Sequence, residues 1–239
     1  MTQELIHYPS PIWLKLCFLA VIPTPMLMVS FLVRSVFRKQ QRSKNFISTL
    51  AFFAIYTTYV ILLGSIGFFN KVFFPPIVLL LTTLPFACIL FLYIAKTERF
   101  ALFIQNVSLY QLISIHIFRL IGLFFILLAL YDILPKWFAL IAGTGDILTA
   151  VSSIWISKYA NKQRPNYRSI VWLWNTFGLV DILFTAVSAN VLTKLSIDRG
   201  IMGVDTLAMF PFYLIPAIAP PLIIFLHYCT YLKLREDNV

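Results

Sequence analysis

The chain has 239 residues, of which 60% are hydrophobic and only 12% are charged. A soluble domain has about 45–50% apolar and about 25% charged residues, so this composition excludes an ordinary soluble domain and indicates a membrane protein. The net charge of +10 would suggest nucleic-acid binding in a soluble protein, but here the basic residues lie in short loops, where they report membrane topology. We therefore expect a lipid bilayer, and no nucleic acid, as partner.

Seven apolar segments are long enough to cross a hydrocarbon core of about 30 Å, which takes about 20 helical residues. Their apolar residues are continuous rather than alternating, so each segment is predicted to be a helix. No linker separates two domains, which predicts a single all-α transmembrane domain over 1–239, a polytopic seven-helix bundle with short connections. The helices are predicted at 12–33, 46–69, 74–95, 108–130, 137–157, 169–193 and 207–231.

The loop charges predict the orientation of the bundle. RSVFRKQQRSK and KYANKQRPNYR are basic and contain no acid, whereas the alternate loops are nearly neutral. Because basic loops stay in the cytoplasm, we expect the N-terminus outside and the C-terminus inside. FALFIQNVS, ahead of the fourth helix, is apolar on one side and is expected to lie along the inner interface. The N-terminal residues lack the features of a removable signal peptide.

The fifth predicted helix carries a carboxylate, Asp146, near its middle. Because small residues let helices approach closely and polar ones bond across, the small and polar face around Asp146 points into the bundle. This face consists of Ala139, Ala142, Gly143, Asp146, Thr149, Ala150 and Ser153. The sixth helix repeats the pattern with Trp174, Asn175, Gly178, Asp181, Thr185, Ser188 and Ala189.

The fourth helix adds His116 and Arg119, which are three residues apart and therefore neighbours. Arg119, Asp146 and Asp181 all fall near the midplane, so we predict an ion cluster. A charge at the helix centre costs about 2.5–3.5 kcal/mol on insertion scales, which pairing offsets. A plain structural tie between helices is the alternative, although two carboxylates against one arginine leave one negative charge for a proton, cation or ligand.

Three prolines interrupt the seventh predicted helix. Each removes an amide donor and frees the carbonyl four residues earlier, so we expect a kinked or partly unwound helix that faces a polar cavity. One face of this helix carries Tyr213, Pro216, Pro220 and His227. Similar breaks are predicted in the first helix at Pro23 and Pro25 and in the third at Pro85.

The motifs HIFRLIGLFF, LPKWFALIAGTGD, LWNTFGLVD and PFYLIPAIAPPLIIFLH resemble those of an uncharacterised family of bacterial integral membrane proteins. The resemblance covers roughly residues 116–227, and the first three helices carry no such motif. It implies a multi-pass protein of the bacterial inner membrane and supports the site without naming an activity. The positions that it carries over are Arg119, Gly143, Gly145, Asp146, Asn175, Asp181, Pro216 and His227.

Broken helices, midplane acids and an unpaired charge favour a protein that binds or transports a small solute or ion, although no inverted repeat is evident. No cofactor or metal is expected, because no Cys/His cluster is present. The predicted ligand- or ion-binding residues are Arg119, Asp146, Asp181, Asn175, His116, His227 and Tyr213. The predicted structural or hinge residues are Gly143, Gly145, Gly178, Pro216 and Pro220.

Three other classes of function stay open. GTGD resembles the G-x-G-D of intramembrane aspartyl proteases, but in that family the second aspartate precedes the motif, whereas Asp181 follows it, so an enzyme is less favoured. A zinc hydrolase lacks HxxxH spacing. A seven-helix receptor or sensor matches in helix number only, without a lysine for retinal, although haem between His116 and His227 is conceivable. An accessory subunit would use the polar residues structurally; the solute, coupling ion and oligomeric state are left open.

Overall fold

The computed structural model describes residues 9–71 and 73–236. Within these ranges the chain forms seven helices that are long and apolar enough to cross a membrane, and it forms no β-strand. The all-α seven-helix class is therefore confirmed. In chain order the helices are α1 (Ile12–Val36), α2 (Lys39–Ser65), α3 (Leu79–Lys96), the short α4 (Glu98–Asn106), α5 (Leu109–Leu130), α6 (Lys136–Asn161), α7 (Tyr167–Arg199) and α8 (Leu214–Glu236).

The last helix begins at Leu214 rather than at 207. The preceding residues include a 3-10 turn at Asp205–Ala208 and a buried connection in which Phe212 is fully inaccessible. An apolar loop that packs into the core has the same hydropathy as a helix, so hydropathy alone does not distinguish the two. The second helix also differs from its predicted start. α2 begins at Lys39 rather than at 46, because its first turns carry basic residues that a hydropathy criterion excludes.

The first and third crossings are irregular where prolines were predicted to break them. The first crossing is interrupted at Ile22, directly before Pro23. The third contains two π-helical turns, Leu79–Thr83 and Ile89–Tyr93, on either side of the turn that holds Pro85. Such turns are rare in soluble helices and common at functional sites.

The seventh crossing differs from the expectation, because α8 stays helical through Pro220 and its neighbour. The freed carbonyl of Pro216 accepts a hydrogen bond from the Thr83 hydroxyl at 2.7 Å. The single proton of the Tyr56 hydroxyl is shared between the carbonyl of Ala217 at 3.0 Å and the carbonyl of Thr82 at 2.9 Å. Hydroxyls from α2 and α3 thus satisfy these groups in place of a polar cavity. The predicted unwinding is therefore not observed within Leu214–Glu236.

The centre of the bundle is formed by α5 and α8. In the most apolar stretch of each of these helices 67% of the residues are buried, against 17% in α2 and in α3. α4 packs against this centre as well, since Phe100 and Ile104 on its apolar side are buried. The segment predicted to lie along the interface is therefore helical, and its apolar side contacts protein.

Most of the lysine and arginine residues lie where α1 joins α2, α3 joins α4, α6 joins α7, and α8 ends. Because successive crossings alternate in direction, these places meet at one end of the bundle. We call it the basic end. The connection α2–α3, the connection α5–α6 and the segment before α8 lie at the opposite end.

Tyr56→Phe is expected to destabilise the bundle by about 1–3 kcal/mol, because a buried carbonyl of α8 loses its donor in a region without water. The measurement is the thermal unfolding midpoint in detergent. Tyr93→Phe is the matched control, since Tyr93 is 73% exposed. An equal midpoint for the Tyr56 variant and this control would show that the carbonyl does not need the hydroxyl.

Candidate functional site

The middle of α5 is wound as a 3-10 helix from Ile115 to Gly122. Because this helix has three residues per turn, His116, Arg119 and Gly122 lie in one line along its side. Burial follows the same period: these three residues are buried, whereas Leu120 is exposed. Runs of 3-10 helix longer than three or four residues are uncommon, and inside a longer helix they often mark a functional hinge. The sequence predicted an ordinary α-helix here.

The guanidinium of Arg119 is completely buried and contacts both acidic residues. Its Nε donates to Asp146 Oδ1 at 2.7 Å, and its Nη2 donates to Asp181 Oδ2 at 2.6 Å. Its Nη1 donates to the carbonyl of Gly178 at 3.0 Å. The side chains of Asp146 and Asp181 are 7% and 8% exposed. One arginine from α5 thus joins a carboxylate from α6 and a carboxylate from α7.

His227 of α8 is the fourth member of this charge cluster, defined here as Arg119, Asp146, Asp181 and His227. Nη1 of Arg119 lies 3.1 Å from His227 Nε2, and arginine can only donate, so Nε2 accepts. The ring proton is therefore on Nδ1, which donates to Asn175 Oδ1 at 2.8 Å, while Asn175 Nδ2 donates to the His227 carbonyl at 3.1 Å. These bonds fix a neutral imidazole and one tautomer.

His116 lies beside the cluster without entering its hydrogen bonds. Its side chain is fully buried, and neither ring nitrogen has a partner among the described residues. Its ring lies 4.3 Å from the His227 ring, centroid to centroid. A metal between two imidazoles lies about 2 Å from each nitrogen, which separates the centroids by about 6 Å. The tilted rings are too close for such a metal, so the geometry does not support haem between these histidines.

Glycines provide the room for the cluster. A β-carbon at Gly145 would lie 1.8 Å from Asp181 Oδ1, and one at Gly122 would lie 2.4 Å from the β-carbon of Asp146. A β-carbon at Gly178 would lie 2.7 Å from His227 Cε1. All three glycines are helical without positive φ, so the close approach, and not a special backbone angle, requires glycine at these positions. Gly143 has the same effect between α5 and α6, where a β-carbon would meet Ile126 at 2.6 Å.

Gly122 is the site residue that sequence reasoning did not select. The sequence did carry a signal for it, because the motif HIFRLIGLFF contains both Arg119 and Gly122. Its role became visible only with the 3-10 winding, which places Gly122 directly in line with Arg119 and against Asp146. An α-helical wheel places the two residues about 60° apart.

Three predicted residues lie outside the cluster. Tyr213 precedes α8 and packs its ring against Phe69, at a centroid distance of 5.1 Å. Pro216 and Pro220 line a cavity of about 130 Å³ at the end opposite the basic end. We call it the proline cavity. Thr185 also lines it and lies one helical turn, about 6 Å, beyond Asp181.

The cluster geometry bears on the enzymatic alternatives. In an aspartyl protease the two carboxylates share one proton, whereas here a guanidinium lies between them. No group of three His, Cys, Asp or Glu residues suited to a metal ion occurs in residues 9–71 and 73–236.

Residues 74–235 match the model of a family described as "Domain of unknown function (DUF8737)". The match contains α3 to α8 and every residue of the charge cluster. No curated protein and no solved structure matches the chain. The expected membership of an uncharacterised family is confirmed, while the bacterial origin and the particular motifs stay predictions.

Arg119→Gln is expected to cost about 3–5 kcal/mol of stability, because it leaves two buried carboxylates without a counter-charge. Combining it with Asp146→Asn and Asp181→Asn removes those charges and should recover most of the loss. Thermal unfolding in detergent measures both effects. A triple variant no more stable than the single one would show that charge is not what the arginine balances.

Gly145→Ala is expected to destabilise by about 3 kcal/mol, because the new methyl group overlaps Asp181 and disrupts its bond to Arg119. In an Asp181→Ala background the overlapping atoms are absent, so the same change should cost much less. Thr144→Ala, at the exposed neighbouring position, controls for the helix itself. Equal penalties in both backgrounds would contradict the close contact.

Proposed function

The chain belongs to the family described as "Domain of unknown function (DUF8737)". From the geometry of the charge cluster we propose that it binds or transports a small solute together with a cation. The observation that supports this most is the burial of two carboxylates on one arginine inside a seven-helix membrane bundle. In the proposed orientation the basic end faces the cytoplasm of a bacterial cell.

With both carboxylates ionised, the cluster holds one negative charge in excess. Arg119 contributes one positive charge, Asp146 and Asp181 contribute two negative charges, and His227 accepts from the arginine and is neutral. An unbalanced charge is costly in the middle of a bilayer. Asp146 Oδ2 and Asp181 Oδ1 accept no hydrogen bond from any described residue, so each can take a proton or contribute to a monovalent cation site.

The proline cavity supplies the place for the solute. It is mostly apolar, with Thr83, Thr185, Asn190 and Thr193 as uncharged polar groups in its wall, and Lys71 and Asp205 line it as well. Drug-sized ligands occupy about 300–1,000 Å³, so a cavity of about 130 Å³ fits a solute of only a few heavy atoms. Since Thr185 is one turn from Asp181, a solute there lies close enough to sense the charge of the cluster.

The 3-10 segment of α5 offers a way to couple the two sites. A 3-10 helix turns about 120° per residue and an α-helix about 100°, so rewinding the three steps from Gly122 to Arg119 turns the arginine by about 60°. That rotation would separate the guanidinium from at least one carboxylate. The freed carboxylate would then hold the cation, and the two windings would be the two states of the carrier.

A purely structural role is the second candidate, favoured by the internal completeness of the network. Arg119 is bonded on all three nitrogens, and His227 on both ring nitrogens. Buried charge networks of this kind can hold helices in register without any ligand. The two candidates differ in whether a cation stabilises the fold.

The test is the unfolding midpoint of the purified protein with H⁺, Na⁺ or K⁺ varied against choline at constant ionic strength. We expect the midpoint to rise with one of these cations, because a cation bound only by the folded state stabilises it by about 2.7 kcal/mol at a hundred times its dissociation constant. Asp181→Asn leaves one carboxylate on one arginine and should abolish this dependence without lowering stability.

Asp198→Asn is the matched control, because Asp198 is 45% exposed and pairs only with Lys194 at 2.8 Å. It should keep the wild-type dependence on the cation. Two results together would support the structural role and contradict cation binding. They are a wild-type unfolding midpoint that does not change with any of the three cations, and an Asp181→Asn variant that is less stable than the wild type.

A further inference from the structure

A second cavity lies at the basic end and has no part in the charge cluster. Its volume is about 360 Å³, within the range of ligand pockets, and α1, α2, α3, α4 and α8 surround it. Its wall is mostly apolar and includes the rings of Phe37, Phe52, Phe53, Phe100, Phe103 and Phe225. We call it the basic-end cavity. Among the residues that the structure describes, no charged side chain other than Arg99 lines it.

Arg99 lies at the margin of this cavity and is exposed. It forms no hydrogen bond or ion pair with any described residue. The adjacent Glu98 does not line the cavity and likewise has no ion-pair partner within residues 9–71 and 73–236. Asn45, Ser48 and Thr97 complete the polar margin. The cavity therefore combines an apolar interior with one available guanidinium at its edge.

The surrounding charge has the same sign. Arg42 donates from Nε to the carbonyl of Phe37, which itself lines the cavity, at 3.1 Å. The connection between α1 and α2 also carries Arg38, Lys39 and Lys44 and no acid. Basic groups next to an apolar cavity at the end of a helix bundle attract lipids with anionic headgroups.

We propose that the basic-end cavity binds an anionic phospholipid, with an acyl chain among the phenylalanine rings and the phosphate on Arg99. A soluble anion would not occupy the apolar interior, and a zwitterionic lipid carries a compensating positive charge that the basic surroundings repel. The site lies where α1 meets α2 and α3 meets α4, which is where headgroups meet the ends of membrane helices. It stands independently of the cation-binding proposal, since none of its lining residues belongs to the charge cluster.

The experiment is native mass spectrometry of the full-length protein in neutral detergent, titrated with dioleoyl phosphatidylglycerol or dioleoyl phosphatidylcholine. We expect phosphatidylglycerol to bind more tightly, and Arg99→Gln to weaken its binding about fivefold, the effect of one basic residue near a membrane surface. Ser48→Trp, at an exposed position on the cavity margin, should weaken both lipids by narrowing the entry. Inorganic phosphate should not displace the bound lipid.

Arg164→Gln is the control, because Arg164 is an exposed arginine at the same end of the bundle that does not line the cavity. It should bind both lipids as the wild type does. Unfolding midpoints confirm that each variant is folded. Equal affinity for the two lipids, an Arg99→Gln variant that keeps the wild-type preference, unchanged binding in Ser48→Trp, or displacement by phosphate alone would each overturn the proposal.

Discussion

The structure depends on hydrogen-bonding the buried guanidinium of Arg119 entirely with protein groups. Arg119 lies fully buried at the centre of the bundle, and its nitrogens bind two carboxylates, a backbone carbonyl and an imidazole contributed by α6, α7 and α8. Each of these helices has to approach α5 closely, which explains the glycines at the contacts. The requirements of one charged group therefore set the spacing of four helices.

The 3-10 winding of α5 follows from the same requirement. It aligns His116, Arg119 and Gly122, so that the arginine projects toward the carboxylates while the glycine admits Asp146 beside it. The ion pairs of Arg119 lie at the centre of this eight-residue 3-10 segment, which is longer than such segments usually are. Charge pairing thus selects a backbone conformation that local sequence preference does not favour.

Much of this arrangement was predictable from the sequence. Helix number and class follow from hydropathy, because the bilayer requires about 20 apolar residues per crossing. Helical spacing also identified the inward faces of α6 and α7. The small and polar residues of each helix share one face with Asp146 or Asp181, and such a face is expected to point into the bundle. Asn175 and His227 were selected as well, and the structure shows what spacing does not, namely that they bond to each other.

The remaining features could not be predicted from the sequence, for physical reasons. The 3-10 segment has no distinct composition, and the buried connection before Leu214 is as apolar as a helix. The freed carbonyls of α8 were expected to face a polar cavity, but partners from distant sequence, Tyr56 and Thr83, satisfy them. Both cavities arise where helices far apart in the chain fail to fill space, which no single segment encodes.

The continuity of α8 links the two leaflets. Near its start Pro216 and Pro220 line one cavity, in its second half His227 bonds to Arg119, and Phe225 and Cys229 line the other cavity. An unbroken rod shifts as a whole, so a molecule that moves α8 at one face of the membrane alters the fit at the other. Under the two proposals above, thermodynamic reciprocity would let the composition of one leaflet tune solute affinity on the far side, and the solute would tune lipid affinity by the same factor.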